Sequence, residues 1–302
     1  MIVEGPGEHD RETLTWVAYG SARYQETMAR LSLESSEHWA PPYPGMQDYF
    51  IDIARVSIRR ARKRAGLPAS ADVGALATVV LELRHQIESS LGITIADAVV
   101  ASAHLVALYQ DDLYDSCRYA GIQYMVPNWL NDLILWETGA ACAGYGLNLC
   151  NDYENLTACY DEHRQMPNRN ILEVHRSRTA ITSTLALMFT PTSVLDTDWR
   201  RVEDFTLGSD GARKFDTVDQ YWSAVKAAII RMMVKSPAVA KPDMVILTGD
   251  QVKDGAFRAA LDDALKRVMP EVPEIFDDDV MVIAAKGAAE LSRRGAYAPM
   301  EP

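Results

Sequence analysis

The sequence contains no run of eighteen or more apolar residues, so nothing in it reads as a membrane-spanning helix. Its opening, "MIVEGPGEHDRE", has neither the basic start nor the apolar core of a secretory signal, and the expectation is a cytoplasmic protein. Positive charge is scarce. Thirty Lys and Arg stand against 42 Asp and Glu, a formal charge of −12, which argues against a nucleic-acid partner whose phosphates reward a basic face. Cysteine is scarce as well. Cys117, Cys142, Cys150 and Cys159 are too few and too unevenly spaced for a disulfide scaffold, and none forms the CxxC pair of a structural zinc site. They read as buried reduced thiols, with a Cys150–Cys159 bridge across a short loop as the alternative. There is no GxGxxG fingerprint and no GxSxG elbow. The densest acidic clusters, "DEHRQ" (161–165) and "FDDDV" (276–280), lack a second histidine at ligand spacing and read as solvated segments, so no metal is expected.

What is present is a chain of 302 residues, 48% hydrophobic, with a mean hydropathy of −0.13, enough for two lobes or one large domain. Periodicity places helices over 48–64, 73–91, 105–120, 218–234 and 255–269. In the first, Phe50, Ile51, Ala54, Ile58 and Ala61 should face the core, and the basic run "IRRARKRAG" (58–66) reads as its solvated side. Gly92 stands where a helix C-cap glycine belongs. Strands are expected in "AVVA" (98–101), "IQYMV" (122–126), once or twice within 170–189, in "DMVILTGDQ" (243–251) and at the start of 280–295, with 128–146 mostly helical. This rhythm is that of an α/β protein with a largely parallel sheet. The partition is into 1–150 and 151–302, with a seam near 150–170.

Three stretches in order resemble the ATPase domain of the 70-kilodalton heat-shock chaperones and the wider actin-like (ribonuclease-H-like) fold. The first is "ELRHQIESSLGITIADAVVASAHLVALYQDDLYDSCRYAGIQYM" (82–125). The second is "ETGAACAGYGL" (137–147), whose Glu137, Thr138, Ala140, Ala141, Ala143, Tyr145 and Gly146 resemble the family's acid, threonine, alanine run and "AYG", with Gly139 and Gly144 as departures. Such a helix stripped of side chains implies very close backbone packing. The third is "VILTGDQVKDGAFRAALDDAL" (245–265) with "IAAKGAAELSRRG" (283–295). Thr248, Gly249 and Asp250 fall on the family's adenosine turn, and Gly287, Ala288 and Ala289 on its returning helix. The resemblance covers about half the chain. It is most similar to fungal heat-shock-like proteins that lack a peptide-binding domain, and it implies two actin-like lobes.

The same resemblance marks what has been lost. The family's first phosphate loop has its nearest counterpart in "VAYGSARY" (17–24), where Ala18 replaces the aspartate. The second falls in "LEVHRSRTAI" (172–181), which has no glycine. Side chains there stand where backbone N–H groups would approach phosphate. ATP hydrolysis and Mg²⁺ or nucleotide cofactors are therefore not expected. The implied function is a cofactor-independent cyclase or pericyclase, Diels–Alderase-like, acting on a small molecule such as a terpenoid or polyketide in fungal secondary metabolism. The alternative is a pseudo-ATPase that senses nucleotide or docks a partner. Candidate catalytic groups are His175, Arg176, Arg178 and Asp250. Glu137, Thr138, Thr248, Gly249, Gly287 and His104 are candidates for the pocket wall.

Overall fold

The computed structural model describes residues 2–4, 13–127, 134–195, 201–234 and 241–300. In chain order these form β1 (Ile2–Glu4), β2 (Thr13–Thr15), α1 (Ala22–Leu31), α2 (Met46–Arg64), α3 (Ala71–Leu91), β3 (Asp97–Val99), β4 (Ala101–Ser102), α4 (Gln110–Tyr119) and β5 (Gln123–Pro127). There follow β6 (Leu135–Trp136), α5 (Glu137–Gly144), α6 (Leu156–Gln165), β7 (Arg169–Arg176), β8 (Ile181–Thr190), β9 (Ser193–Leu195) and β10 (Arg201–Asp204). The chain ends with α7 (Val218–Val234), β11 (Met244–Thr248), α8 (Gly255–Val268), β12 (Glu274–Phe276), α9 (Ile283–Arg293) and β13 (Tyr297–Pro299). The protein is mixed α/β with mixed sheets. It divides into one unit of residues 1–100, 105–128 and 297–302, and a second of 101–104 and 129–296, so the 150–170 stretch falls inside the second unit. No helix among the described residues is long and apolar enough to cross a membrane.

In the first unit, local sequence sets the helix ends. Ser70 Oγ accepts from the Val73 N–H at the start of α3, and Gly92 ends it at φ +66° in the left-handed region that glycine adopts without cost. The helix expected over 105–120 is shorter, because the Ala107 N–H is taken by Leu31 O and the first turn forms only after Tyr109. β3 and β13 flank β5, parallel and antiparallel respectively.

α2 corrects the sequence reading. Its expected inner face is exposed, with Phe50, Ile51 and Ile58 all about 60% accessible, while Asp52 and Arg59 are buried. The cause is electrostatic. Asp111 and Asp112 lie in the first turn of α4, where the helix dipole favours acids, and Asp115 follows one turn on. Arg59 bonds Asp112 (2.7 Å) and Asp115 (2.8 Å), Arg55 bonds Asp52 and Asp111, and Lys63 bonds Asp115. Arg55, Arg59 and Lys63 are thus one half of an ionic seam rather than a solvated face. A bidentate-capable guanidinium among carboxylates outweighs an apolar stripe that stays exposed among the described residues.

The second unit is built on a sheet of order β10-β8-β7-β11-β12, with β9 pairing onto β8. β7, β8 and β10 are antiparallel neighbours, whereas β11 runs parallel to both β7 and β12. Each parallel strand is reached through a helix, α7 or α8. The period-two alternation of strands sorts side chains to the two faces. Leu172, Val174, Val245 and Leu247 join Val225, Ile229, Phe257 and Leu261 of α7 and α8 in one core. Ile171, Met244 and Ile246 join Ala141, Cys142 and Ile283 of α5 and α9 in the other.

The expected helix over 128–146 begins only at Glu137, after the strand β6; residues 128–133 lie outside the described residues. The strand expected at 280 is instead β12, before a turn into α9. The glycines of α5 have a clear physical reason. A Cβ on Gly139 would meet Pro191 O at 2.1 Å, and one on Gly144 would meet Ile283 O at 2.3 Å. From α9, a Cβ on Gly287 would meet Ala140 O at 1.7 Å. Only residues without side chains allow these backbones so close. Cys150 and Cys159 form a disulfide, which overturns the reading of four reduced thiols; Cys117 and Cys142 are free and buried.

Candidate functional site

β7 and β11 are in parallel register with His175 beside Thr248 and Glu173 beside Ile246. Alternation therefore places Glu173, His175 and Thr248 on the same sheet face, the one covered by α5, whose first residue is Glu137. The four polar side chains converge. His175 Nδ1 lies 3.0 Å from Glu137 Oε1 and 3.1 Å from Thr248 Oγ1, and the Thr248 hydroxyl donates to Glu173 Oε1 at 2.6 Å. A relay runs from the imidazole through a hydroxyl to a second carboxyl. Glu173 and Thr248 are almost wholly buried, whereas the His175 and Glu137 side chains keep 29% and 16% of their surface in contact with solvent. The cluster thus has a dry end and a wet end. His175 Nε2 makes no hydrogen bond among the described residues.

Electrostatics divide the labour. Burial, reinforced by the negative charge of Glu137, pushes the Glu173 carboxyl up to about 8, so it is a neutral acid at pH 7. Burial alone would lower the His175 imidazole, but the charge and hydrogen bond of Glu137, with Glu173 and Asp250 behind it, override that and raise it to about 9. Glu137 is likewise pulled towards its neutral form by burial, yet His175, Thr248 and His104 together hold it below the usual carboxylate range. At neutral pH the site is therefore a Glu137 carboxylate, a His175 imidazolium and a protonated Glu173. One ligand atom from each of these three lies within 4.8 Å of the others, a set that could meet a divalent cation. A metal there would have to displace the protons of both Glu173 and His175, which weakens binding at neutral pH.

The other sequence candidates are distributed as follows. His104 and Thr138 stand behind Glu137: His104 Nε2 is 3.3 Å from Thr138 Oγ1, and its ring stacks on Trp136 at 4.5 Å. Arg176 points to the opposite sheet face. It is fully buried, lies over the rings of Trp222 and Phe257 at 5.3 and 5.0 Å, and bonds Gln251 O and Tyr221 Oη. Arg178 is exposed in the β7–β8 turn and pairs with Asp210. Asp250 is exposed and reaches His175 only through its charge. Gly249, at φ +95°, is required by packing, since a Cβ there would lie 2.3 Å from Arg176 O. Gly287 is packed against Ala140 O. An open surface groove of about 430 Å³ lies elsewhere, between Lys226, Ile230 and Arg267, and shares no residue with the cluster.

The residue that sequence reasoning missed is Glu173. Its signal was available, because a lone acid inside the apolar run "NILEV", two positions before His175, must share that residue's face of the strand. The chain matches no family model and no curated protein.

Proposed function

We propose that this protein is a cofactor-independent cyclase for a small molecule, built on a degenerate actin-like (ribonuclease-H-like) scaffold similar to the heat-shock ATPase domain. The observation that carries the reading is the Glu137–His175–Thr248–Glu173 cluster, which pairs a desolvated neutral acid with a solvent-reaching imidazolium. In support of the scaffold stand the antiparallel β7–β8–β10 segment followed by two helix-linked parallel strands, the glycine turn after β11, and the glycine-mediated packing of α5 on α9. In support of the loss of phosphate chemistry stands the β7–β8 turn. It is closed on itself by Ser177 N–H to Ala180 O and Ala180 N–H to Ser177 Oγ, and carries side chains throughout.

A cyclisation of the pericyclic type needs no group transferred to or from the protein, because every bond change lies within the substrate. The chain's contribution is orientation and polarisation. His175 Nε2–H, which makes no hydrogen bond among the described residues, donates to an activating carbonyl of the substrate. Glu137 keeps the imidazole charged and fixed in orientation through Nδ1. Glu173, through Thr248, holds that arrangement without adding a second negative charge that would neutralise the donor. A charge-assisted hydrogen bond that strengthens as the carbonyl gains charge contributes about 1.5–3 kcal/mol, roughly ten- to a hundredfold in rate.

The test is deletion of the gene followed by metabolite profiling and complementation. The wild-type chain should restore the lost cyclised product, while His175→Ala and Glu137→Gln chains that accumulate to the same level should restore less than about a tenth of it. An unchanged profile on deletion, full restoration by both variants, or magnesium-dependent phosphate release by the purified protein would each overturn the proposal.

A further inference from the structure

A second cluster of reactive side chains lies outside this site. α6 carries Cys159 and His163 one turn apart, on the same side of the helix, and Cys150 faces them from the preceding loop. One ligand atom from each lies within 4.8 Å of the others, and Cys159 Sγ is 4.0 Å from His163 Nδ1. Ligand atoms of a tetrahedral zinc centre stand about 3.5–3.8 Å apart, given bond lengths of about 2.3 Å to sulfur and 2.0 Å to nitrogen. Cys159 Sγ and His163 Nδ1 are within about half an ångström of that spacing, whereas the two sulfurs, now bonded to each other, must separate to reach it.

We propose that Cys150, Cys159 and His163 form a redox-gated zinc site, closed to metal as a disulfide and holding one Zn²⁺ through two thiolates and one imidazole when reduced. Opening the bridge requires two electrons and two protons from a thiol reductant, which leaves as its own disulfide. Zn²⁺ then displaces the two thiol protons to solvent. A thiol pool of the kind that keeps cytosolic proteins reduced would supply those electrons.

The arrangement does not depend on the bridge to keep Cys150 in place. The Glu162 carboxylate, one residue before His163, accepts from Asn151 N (2.8 Å), Asn151 Nδ2 (3.1 Å) and Asp152 N (3.2 Å), tying the loop to α6. From the C-cap of α9, Arg294 Nη1 donates to Cys150 O. Asn155 caps α6 through Ala158 N, fixing the helix end that presents Cys159. When the sulfurs part, this frame holds them on the same side of His163. When zinc has displaced their protons, two thiolates balance the charge of the ion. Soft sulfur with one imidazole selects zinc over calcium or magnesium, and the three protein ligands leave a fourth position for water. Cys117 and Cys142 cannot substitute, since both are buried and burial pushes their thiols well above the ordinary range.

The full chain, reduced with a phosphine and freed of it without oxygen, is dialysed against Zn²⁺ and its metal content measured, alongside the oxidised chain. In parallel, Co²⁺ is added and thiolate-to-cobalt charge transfer recorded. The reduced chain should retain one ion and show the band, while the oxidised chain retains none. Cys117→Ser/Cys142→Ser should behave as wild type, and Cys150→Ser/Cys159→Ser should lose both signals. His163→Ala, which leaves the bridge and its loop intact and so guards against misfolding of the cysteine variant, should weaken zinc affinity by about tenfold or more. The proposal is overturned if the reduced chain holds no zinc, if the oxidised chain holds as much, or if His163→Ala binds as tightly as wild type.

Discussion

The Glu173→Gln variant tests the central electrostatic assignment without knowledge of the substrate. In the unfolded chain this carboxyl loses its proton near the ordinary value of 4.5, whereas in the fold burial and the Glu137 charge keep it protonated to about 8. Between those values the native state binds one more proton than the unfolded state. The slope of unfolding free energy against pH is then negative, about −1.4 kcal/mol per pH unit, and stability falls as pH rises. Across pH 5 to 8 the loss amounts to roughly 4 kcal/mol. An amide carries no proton to lose, can accept from the Thr248 hydroxyl as the acid does, and fills nearly the same volume.

The two chains should therefore be within about 1 kcal/mol of each other at pH 5, and the variant should be more stable by on the order of 4 kcal/mol at pH 8. His175, raised to about 9, contributes stability that is complete below its ordinary 6.5 and is lost as pH rises through 9. Glu137, held below its ordinary 4.5, contributes stability that is lost as pH falls through its folded value. Both are present in each chain, and below pH 8, before Glu173 gains the charge that would also act on His175, the difference isolates Glu173. Urea titrations at four pH values between 5 and 8, analysed at constant m, give the comparison directly. Parallel pH profiles for the two chains, or a variant less stable than wild type at pH 8, would show that Glu173 is ionised in the fold and refute the assignment.

Two further outcomes are expected from the packing. Arg176→Ala should cost about 3–5 kcal/mol, since it removes a buried guanidinium from between Trp222 and Phe257 and leaves Gln251 O and Tyr221 Oη short of a donor; Arg178→Ala, two residues on and exposed, should stay within about 1 kcal/mol of wild type by the same urea titration. Gly287→Ala should destabilise by about 1–3 kcal/mol or more through collision with Ala140 O, whereas Gly255→Ala, with no atom within 4 Å of the added methyl, should be neutral or slightly stabilising in a thermal melt.

How much of this was legible in the sequence follows from which forces set each element. α3 and α7 were readable because caps and apolar spacing agree: Ser70, Gly92 and the Tyr221, Val225, Ile229, Met232 stripe all act locally. The β7–β8 pair was readable from alternation and β11 from its unbroken apolar run "MVIL". The buried side of α2 was not, because it is decided by Asp111, Asp112 and Asp115 some fifty residues away, and no local pattern announces that three acids will meet Arg55, Arg59 and Lys63. The disulfide was open as an alternative but could not be chosen, since only the chain path brings the two Cα atoms to 5.1 Å. Within the site, Glu137, His175 and Thr248 were named from the altered motifs, while Arg176 was grouped with His175 by adjacency. Adjacent strand residues face opposite ways, so the two could not share a site.

That alternation also separates what packing requires from what it does not. Gly249 is explained by its backbone angle and its contact with Arg176 O, and the glycines of α5 and α9 by backbone approach. Arg176 is explained by the rings and acceptors around it. None of these residues needs a ligand to account for it. Glu173 is different. A leucine or glutamine at that position would fill the space beside Thr248 without the need to hold a proton against solvent, and at pH 7 the carboxyl costs the fold on the order of 3 kcal/mol. A cost of that size beside a charged histidine that reaches solvent is what the chemical role proposed for the cluster would account for, and what the hydrophobic core around it does not.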